Sequence, residues 1–468
     1  MHLFTNPSRA TRLVLVLLVT AIAVIGIAAN GPRPAKSLAE FGVRGDGVAD
    51  DTAAIQAAVD AKLGSIRFEP GTYRITQPIV VNLDKVGYTS FTSDGTATLR
   101  MEGAGPAIRF VGTHGGTADP TSIKPGVWEH ERTPRVEGLE IAGAHPEACG
   151  IEASGTMQLT VRGAVIRQCL HGVHLIKRNR NVLIGECHIY ENRGCGVYLD
   201  AVNLHQTNIV GCHISYCQGG GVVCRGGEVR NVHIGTCDIE SCMGADTAET
   251  ANVLIDCTNG STAEVAIVGC TIQHNSKSPN SANIRIIGAG RGIKPDTQGQ
   301  WGHVTIGDNV FSDVRVNVEL IDCRGVTMTN NTFWMGYDAN LQMKNCQQVV
   351  IGPNLFERNP AYDYGNSTTT KNALRLTNCR DTTITGLHLQ GVTAEDAALV
   401  LDGCQRIHLY GCTVLESTSP GLLMKDCSHC HVAEYLVYDG EQVATGDQAI
   451  RVEGGKANRV ARIVVEND

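Results

Sequence analysis

Aromatic residues are scarce in this chain of 468 residues, since phenylalanine, tryptophan and tyrosine together make up 5%. This scarcity argues against the core of a large α/β enzyme, in which such side chains fill much of the interior. Net positive charge is also lacking, because the formal charge is −8 at pH 7, so the chain has no global reason to bind nucleic acid. Glycine, by contrast, is abundant, with 53 residues, and suits a fold of many short strands and turns.

The N-terminus carries a long apolar run, residues 13–29, directly after Arg9 and Arg12. Basic residues before an apolar stretch are typical of export signals, and the small residues that follow favour cleavage after Ala29. The run is also near the lower length limit for a membrane-spanning helix, so an uncleaved N-terminal membrane anchor is the alternative. In both cases residues 30–468 lie outside the cytoplasm, and the protein is secreted, periplasmic or at the cell surface.

A repeated strand pattern covers most of the chain after about residue 100. The motif V-x-I-x-x-C-x-I recurs with alternating apolar residues, which is the period of a β-strand. Its clearest copies begin at Val182, Thr207, Val232 and Val265. No helical pattern separates the units, so we predict an all-β fold, a single-stranded right-handed parallel β-helix of about a dozen coils. Stacking at roughly 4.8 Å per coil gives a rod about 50–60 Å long.

The 18 cysteines would suggest disulfides in an exported protein, but their spacing follows the repeat. We predict two columns, Cys187, Cys212, Cys237, Cys270 and Cys412 in one, and Cys257, Cys323, Cys346, Cys379, Cys404 and Cys427 in the other. Such columns are interior ladders of small apolar side chains rather than sets of pairs. Asn309, Asn331 and Asn354 continue the first column as an asparagine ladder. CSHCH at 427–431 matches a haem-attachment pattern, but both cysteines already occupy core positions of the repeat.

Residues 40–61, EFGVRGDGVADDTAAIQAAVDA, join a short apolar segment to an alanine-rich one. We predict a strand end at residues 41–43, a glycine turn at 45–47, and a helix after it. Asp50, Asp51 and Thr52 offer side-chain oxygens as helix caps. Calcium binding by the aspartates is the alternative, and caps and turns already explain them.

This stretch, followed by GSIRFEPGTYRIT at residues 64–76, resembles the N-terminal signature of the pectate lyase-like superfamily with rhamnogalacturonase/epimerase-type β-helix domains. The resemblance implies that residues 38–76 form an N-terminal capping helix and the first coil. It also implies a polysaccharide partner, often acidic, and cleavage by hydrolysis or β-elimination. The full polygalacturonase set of NTD, DD, GHG and RIK motifs is missing, as is the DPHE motif of alginate epimerases, so the reaction is left open.

Two outward columns provide candidate catalytic residues, because equivalent positions in successive coils lie about 5 Å apart. One column contains His188, His213 and Asp238, and the next contains Tyr190 and Glu240. Asp238 and Glu240 face the same side at roughly 7 Å, which suits paired-carboxylate glycoside hydrolysis. We predict both as catalytic, with His213 as a base or as the group that tunes Asp238. His188 and Tyr190 would contact the sugar, and the alternative is that all five are ordinary exposed residues.

A basic cluster lies in the same coils of this otherwise acidic chain. We predict Lys177, Arg178 and Arg180 as ligands for uronate carboxylates, with Arg193, Arg225 and Arg230 nearby; solvated turn residues are the alternative. Two long inserts, residues 112–135 and 288–303, could wall a groove.

A rival site lies on the strand that precedes the cysteine column. Tyr198, Asp200 and His174 could bind or act on substrate there. Trp334, in the outward column of a later coil, is either a sugar platform or a packing residue.

We therefore predict an exported enzyme, a polysaccharide lyase or glycoside hydrolase, acting on a uronate-containing polysaccharide. The alternative is a non-catalytic β-helix surface protein that binds polysaccharide or serves a structural role. We predict no resident cofactor, no metal ligands and no nucleic acid partner. Calcium dependence and the oligomeric state are left open, and the membrane is a partner only through the N-terminal anchor.

Overall fold

Short β-strands stacked coil upon coil make up most of the computed structural model, which describes residues 37–245, 250–294, 297–359, 361, 367–439 and 449–467. Forty strands join in one sheet, and strands of successive coils pair in parallel, as between Ile151 and Val173. The predicted all-β, right-handed parallel β-helix is confirmed. The proposed signal or anchor, residues 1–29, lies outside the described residues.

Each coil contains three faces, and within a coil the chain passes through the first, then the second and then the third. The first face contains Ile79–Asn82, Gly105–Val111, Ala148–Ser154, Ala282–Ile287, Val314–Ile321, Gly336–Lys344, Ala373–Thr377, Leu399–Asp402, Leu422–Lys425 and Ile450–Glu453. The second face contains Ser65–Arg67, Ser90–Thr92, Arg135–Glu137, Thr160–Arg162, Gly302–Gly307, Arg324–Thr329, Gln347–Ile351, Arg380–Thr385 and Gln405–Tyr410.

The third face contains Asp46–Asp50, Gly71–Ile75, Ala97–Met101, Glu140–Gly143, Val165–Arg167, His188–Tyr190, His213–Ser215, Asp238–Glu240, Thr271–Gln273, Val310–Ser312, Thr332–Phe333, Asn354–Phe356, Leu387–Gln390 and Thr413–Leu415. Longer strands turn a corner between faces: Val173–Gly185, Cys195–Val210, Gly220–Gly235, Val253–Val268, His431–Asp439 and Arg459–Asn467. Thr156–Met157 pairs with the first of these, and Ala289–Arg291 and Gln298–Gln300 form a separate antiparallel hairpin.

Corners recur at residues in the left-handed backbone region. Between the second and third faces, Glu186, Gly211, Thr236 and Gly269 occupy one such column, with φ values from 51° to 65°. A single residue with this conformation redirects the chain while both flanking strands stay extended. The column accepts glycine, threonine and glutamate alike, which is why no residue type marks it in the sequence.

A short side separates the first face from the second in the coils around residue 200. It consists of residues 178–180, 203–205, 228–230 and 261–263, which are in register from coil to coil. Lys177 and Ala201 bend the chain on one edge, and Asn181, Gln206 and Asn231 bend it on the other. These coils are therefore four-sided, and the short side is opposite the third face.

The helices are short and lie mainly near the N-terminus. Thr52–Asp60 and Leu83–Val86 are α-helices, Leu38–Phe41, Pro120–Ser122 and Ser367–Thr369 are 3-10 helices, and Val127–Glu131 is a π-helix. Thr52–Asp60 buries Ile55 completely against the core, as expected of a capping helix.

The strand end predicted at residues 41–43 is wrong, because Leu38–Phe41 forms the 3-10 helix and the first strand begins at Asp46. A capping box between Ser37 and Glu40 and a left-handed Gly42 define that helix locally. The turn predicted at 45–47 is present in part, because Gly45 and Gly47 are left-handed but residues 46 and 47 already belong to the first strand. Gly45 has φ 62°, and a Cβ there would lie 2.9 Å from the Tyr73 ring, so glycine is required.

The aspartates of this turn accept hydrogen bonds from the protein. Asp51 holds the backbone N–H groups of Arg44 and Gly45 at 2.7 and 3.0 Å, so it braces the turn instead of capping the helix as predicted. Asp50 accepts from the backbone N–H and hydroxyl of Thr52. Asp46 accepts two backbone N–H groups as well. Turn and helix-start geometry thus accounts for all three carboxylates.

The cysteines line the core. All 18 are buried with free thiols, as the column prediction requires, and Cys427 and Cys430 are 1% exposed within the packed interior. The thiols donate to backbone carbonyls, for example Cys212 Sγ to Val210 O at 3.5 Å. Burial raises the pKa of the Cys257 thiol to about 12, which keeps it protonated and unreactive at neutral pH.

Buried amides form two ladders along the rod. The predicted one is confirmed, with Asn309 Nδ2 donating to Asn331 Oδ1 at 3.0 Å and Asn331 Nδ2 to Asn354 Oδ1 at 2.9 Å. A second ladder, absent from the sequence interpretation, links Asn252, Asn283, Asn317, Asn340 and Asn372. Because each amide both donates and accepts, the ladders satisfy buried polar groups coil by coil.

Within the described residues, no helix has the length and apolar character needed to cross a membrane.

Candidate functional site

Three polar side chains meet on the third face and form what we call the carboxylate cluster: His213, Asp238 and Glu240. His213 pairs in register with Asp238, one coil further on. Asp238 and Glu240 flank Ile239, which is fully buried, so strand alternation turns both carboxylates outward. The column order predicted from the repeat is thus correct.

The cluster is tighter than the sequence suggested. His213 Nε2 is 3.6 Å from Asp238 Oδ2 and 3.6 Å from Glu240 Oε1. One ligand atom from each of the three residues lies within 4.8 Å of the others, against the roughly 7 Å expected for the two carboxylates. His213 Nε2 and Asp238 Oδ1 are buried atoms without a hydrogen-bond partner among the described residues. These two atoms therefore have unused hydrogen-bonding capacity within the cluster.

Burial and the neighbouring Glu240 carboxylate raise the pKa of Asp238. Two acids this close resist simultaneous ionisation, so one of them holds a proton more tightly than a free aspartate does. The exposed Tyr216 adjoins the same carboxylate, and Glu240 raises the pKa of its hydroxyl. The cluster therefore combines a carboxyl group of raised pKa with a neighbouring carboxylate and a tyrosine hydroxyl.

A supporting layer continues into the next coils. Gln273 Nε2 donates to Glu240 Oε2 at 3.5 Å, and His274 Nε2 is 3.8 Å from the same oxygen. His274 Nδ1 contacts Asp313 Oδ2 at 2.8 Å, and this hydrogen bond raises the pKa of His274 against the effect of burial. These contacts fix the side of Glu240 that faces away from His213.

The predicted sugar-contacting residues of this column lie beside the cluster. His188 packs edge-on against His213 with ring centroids 5.9 Å apart, and Tyr190 is in register with Ser215. Trp334 is half-buried and follows Phe333, whose in-register partner Phe311 precedes Ser312. It therefore occupies the same column as Glu240, in a later coil of the third face.

The carboxylate cluster is also the set of described residues whose donor atoms could surround a metal ion. One imidazole nitrogen and two carboxylate oxygens suit a divalent cation such as Zn²⁺ or Mn²⁺ better than Ca²⁺, which prefers an all-oxygen shell.

A second cluster, the histidine–tyrosine cluster, lies on the first face and contains His171, His174, Tyr198, Asp200 and Glu152. His174 stacks on Tyr198 at 5.4 Å, and its Nε2 is 3.1 Å from Asp200 Oδ2. Burial lowers the pKa of His174, but contacts with Glu152 and Asp200 outweigh it and raise the pKa overall. Burial also raises the pKa of Tyr198 to about 12 and lowers that of His171 to about 4. The predicted grouping of Tyr198, Asp200 and His174 is therefore present.

The basic residues do not join the carboxylate cluster. Arg178 and Arg180 lie on the short side, with Lys177 exposed at its edge, and the second face separates them from Asp238. Arg230 lies on the short side as well. The remaining two arginines are elsewhere: Arg193 donates to the carbonyls of His145 and Pro146, and Arg225 is 3.6 Å from Asp256 on the first face. These basic residues lie in the same region of the rod as the carboxylates, but on other sides of it.

Tyr216 and Asp313 were not predicted from the sequence and His274 was given no role, although all three residues support the carboxylate cluster. They occupy left-handed corner positions directly after third-face strands, with φ between 54° and 69°. The signal that could have found them is their fixed offset: each comes one residue after the outward column that contains Glu240.

Three family models match parts of the chain. Residues 36–105 match "Rhamnogalacturonase A/epimerase, pectate lyase-like". The resemblance to the pectate lyase-like superfamily is confirmed. Beyond this pectate lyase-like segment, residues 127–275 match "Right handed beta helix region" and residues 243–428 match "Periplasmic copper-binding protein (NosD)". The carboxylate cluster lies before the copper-binding match begins.

Solved structures share the fold at low identity. The N-terminal fragment of bacteriophage phi29 gene product 12 is 12% identical over 95% of this chain and 74% of that one, with a TM-score of 0.53. Tailspike protein 3 of bacteriophage CBA120 is 13% identical over 91% of this chain, which spans only 61% of the tailspike, with a TM-score of 0.49. The A-module of the Azotobacter vinelandii mannuronan C-5 epimerase AlgE6 is 14% identical over 92% and 99%, with a TM-score of 0.46. No curated protein sequence matches the chain.

Proposed function

We propose that the protein is an exported carbohydrate-active enzyme that cleaves a uronate-containing polysaccharide by glycoside hydrolysis at the carboxylate cluster. The observation that carries the proposal is the meeting of His213, Asp238 and Glu240 within 4.8 Å. Paired carboxyl groups about 5–5.5 Å apart are typical of hydrolysis with retention of configuration, whereas inversion needs a wider gap for water. The close pair therefore favours the retaining course.

We assign the acid role to Asp238, because burial and the Glu240 carboxylate raise its pKa above the usual aspartate value. Asp238 donates its proton to the glycosidic oxygen as the bond to the anomeric carbon breaks. Glu240 attacks the anomeric carbon and forms the glycosyl ester. Asp238, now ionised, then takes a proton from water, whose oxygen displaces Glu240. His213, in contact with both carboxylates, positions them and stabilises their negative charge.

The sugar would lie along the third face. His188 and Tyr190 precede the cluster, Tyr216 adjoins Glu240, and Trp334 follows in the same column, so polar and aromatic contacts are available on both sides of the pair. Lys177, Arg178 and Arg180 are too far round the rod to serve this site. Tyr198 and Asp200 belong to the first face, across one corner.

Export is supported by the apolar N-terminal run and by the match to a model named for a periplasmic protein. We propose residues 1–29 as a cleaved signal, with an uncleaved anchor as the alternative. Residues 30–468 then form one β-helix domain, in which 38–76 supply the cap and first coil.

The test is a screen of the purified protein against neutral and acidic polysaccharides, with and without calcium, following reducing ends and ultraviolet absorbance together. Hydrolysis yields reducing ends without absorbance, and Asp238→Asn or Glu240→Gln should lower the rate at least about 100-fold while keeping the fold. Asp402→Asn, on the first face of a distant coil, is the matched control. Reducing ends with absorbance would mean elimination instead, and full activity in both variants would remove the carboxylate cluster from the mechanism.

A non-catalytic binding protein is the second candidate, and the separation of the basic residues from the carboxylates favours it. If no polysaccharide is cleaved but an acidic one binds, this candidate replaces the enzyme.

A further inference from the structure

The short side presents a row of basic side chains. Arg180, His205 and Arg230 are register partners in three successive coils, so their backbones lie about 5 Å apart along the rod. Arg178 is next to this row, two residues from Arg180 on the same strand. Arg180 is 7% exposed, so its charge is held at a defined place rather than on a freely moving side chain.

The charge on these basic groups is only partly compensated. Burial and then Arg180 lower the pKa of both Arg178 and His205, while Glu228 and Glu264 act in the opposite direction. Glu228 also pairs with Arg291, and Glu131 accepts from the backbone N–H and hydroxyl of Thr113. The row is therefore a site where an added anion would relieve repulsion between like charges.

Buried polar atoms without a hydrogen-bond partner concentrate at this place in the described chain. They are Arg178 Nε, Asn181 Oδ1, His205 Nδ1 and His114 Nδ1. His114 is 4% exposed, so bulk water does not readily satisfy it. Orphaned donors and acceptors of this kind are costly unless a ligand or ordered water pairs with them.

A cavity of about 620 Å³ adjoins the row on the second face. Amides dominate its lining, including the corner residues Gln158, Asn181, Gln206 and Asn231, and Asn181 Nδ2 donates to Gln206 Oε1 at 2.8 Å. Planar amides that both donate and accept suit sugar hydroxyls, and the volume is that of a small-molecule site.

The two long inserts wall the row at opposite ends. Arg180 Nη1 donates to Thr117 O of the first insert at 3.0 Å. The Arg230 guanidinium lies 4.6 Å from the ring centroid of Trp301, which belongs to the second insert. The inserts thus hold the outer arginines in place and leave His205 between them.

We propose that this groove binds an acidic oligosaccharide, with its anionic groups on Arg178, Arg180, His205 and Arg230 and its hydroxyls on the amide-lined cavity. The basic row is on the opposite side of the rod from the carboxylate cluster, and the cavity is on the second face between them. The groove is therefore a separate binding site. The proposal does not depend on the proposed hydrolysis. The anion could be a carboxylate or a sulfate ester, since both match the arginine fork.

The experiment is calorimetric titration of the purified protein with an oligogalacturonate, its methyl ester and a sulfated oligosaccharide of equal length. We expect the acid to bind at least about tenfold more tightly than the ester, with affinity falling as salt rises. Tighter binding of the sulfated chain would identify sulfate as the natural anion. Equal binding of acid and ester would overturn the proposal.

Variants locate the binding. Arg178→Gln should weaken binding of the acidic oligosaccharide about fivefold to tenfold, and so should Asn208→Ala, which alters the cavity lining. Arg406→Gln removes an equal charge from a distant coil and should leave affinity unchanged. Asp238→Asn should bind the acidic oligosaccharide as tightly as the wild type, whether or not the protein hydrolyses polysaccharide. Binding lost in Asp238→Asn but kept in Arg178→Gln would place the ligand at the carboxylate cluster and refute this groove.

Discussion

His274 shows how one side chain couples the candidate site to stability. Its contacts with Asp313 and Glu240 raise its pKa, so the folded state binds the proton more tightly than the unfolded state does. The resulting stability is fully present below the ordinary histidine pKa of 6.5 and is lost as pH rises through the raised folded value.

His274→Gln should therefore destabilise the protein more at pH 5.5 than at pH 9, by about 1–2 kcal/mol in free energy of unfolding. Chemical unfolding at the two pH values measures the difference. In an Asp313→Asn background most of this pH dependence should disappear, because Asp313 supplies the main contact. A pH-independent cost in the parent background would show that the imidazole acts only through packing.

Among single residues, Asp238 and Glu240 were predictable but their spacing was not. Strand alternation fixes that both carboxylates point outward, because Ile239 between them is buried. Alternation does not give their side-chain rotamers. The corner residues Tyr216 and His274, which adjoin the cluster, depend on a left-handed backbone conformation that several residue types adopt. Periodicity identifies faces, and it does not give distances between side-chain atoms.

At the scale of elements, the asparagine ladder is a cooperative unit. Asn331 Nδ2 donates to Ile306 O and Asn354 Oδ1, and its Oδ1 accepts from Asn309. Asn331→Ala leaves these buried partners unpaired, and we expect a loss of about 2–4 kcal/mol in unfolding free energy. Thr332→Ala, half-exposed beside it, should cost under about 1 kcal/mol. Similar costs for the two would mean that water replaces the missing amide.

The buried cysteine columns predict how the protein reacts with thiol reagents. Because all 18 thiols are buried in the core, the native protein should react with essentially no thiol reagent, and the denatured protein should react at all 18 positions. Titration with a chromogenic disulfide reagent, before and after guanidinium, counts them. Fewer than 18 in denaturant without reductant would reveal disulfides and contradict the ladder. As a control, the titration is repeated after mild oxidation, which should consume any thiols at the surface and leave buried thiols unchanged.

The sequence predicted columns well because the strand motifs keep their length and the inserts fall between them, so equivalent residues stay in register. It could not predict the side of the rod on which a turn segment lies, since the short side arises from paired left-handed residues such as Lys177 and Asn181. That is why Arg178 and Asp238, assigned to one surface from the sequence, lie on opposite sides. The second ladder through Asn252 was missed because the sequence interpretation placed most of those asparagines at the starts of strands without assigning their side chains to the interior.

The whole molecule is a rod whose ends need protection. Each coil satisfies its backbone groups through its neighbours, so a terminal coil exposes a row of unpaired N–H and C=O groups unless something covers it. At the N-terminal end, the helix Thr52–Asp60 packs beside Ile79–Asn82, where Gln56 exchanges hydrogen bonds with the backbone of Val80 at 2.8 and 3.0 Å. The cap thus contributes to solubility as well as to stability.

Displacing the cap should therefore promote association of the rods. Ile55 is completely buried under the helix, and Ile55→Asp places a charge in that apolar contact, so we expect a loss of over about 3 kcal/mol and edge-to-edge oligomers. Ala57→Asp adds the same charge on the exposed side of the same helix and should stay as stable and as dispersed as the wild type. Unfolding and size-exclusion chromatography with light scattering compare the two variants. If Ile55→Asp loses stability but remains dispersed, the first coil protects its own edge and the helix serves only to fill the core.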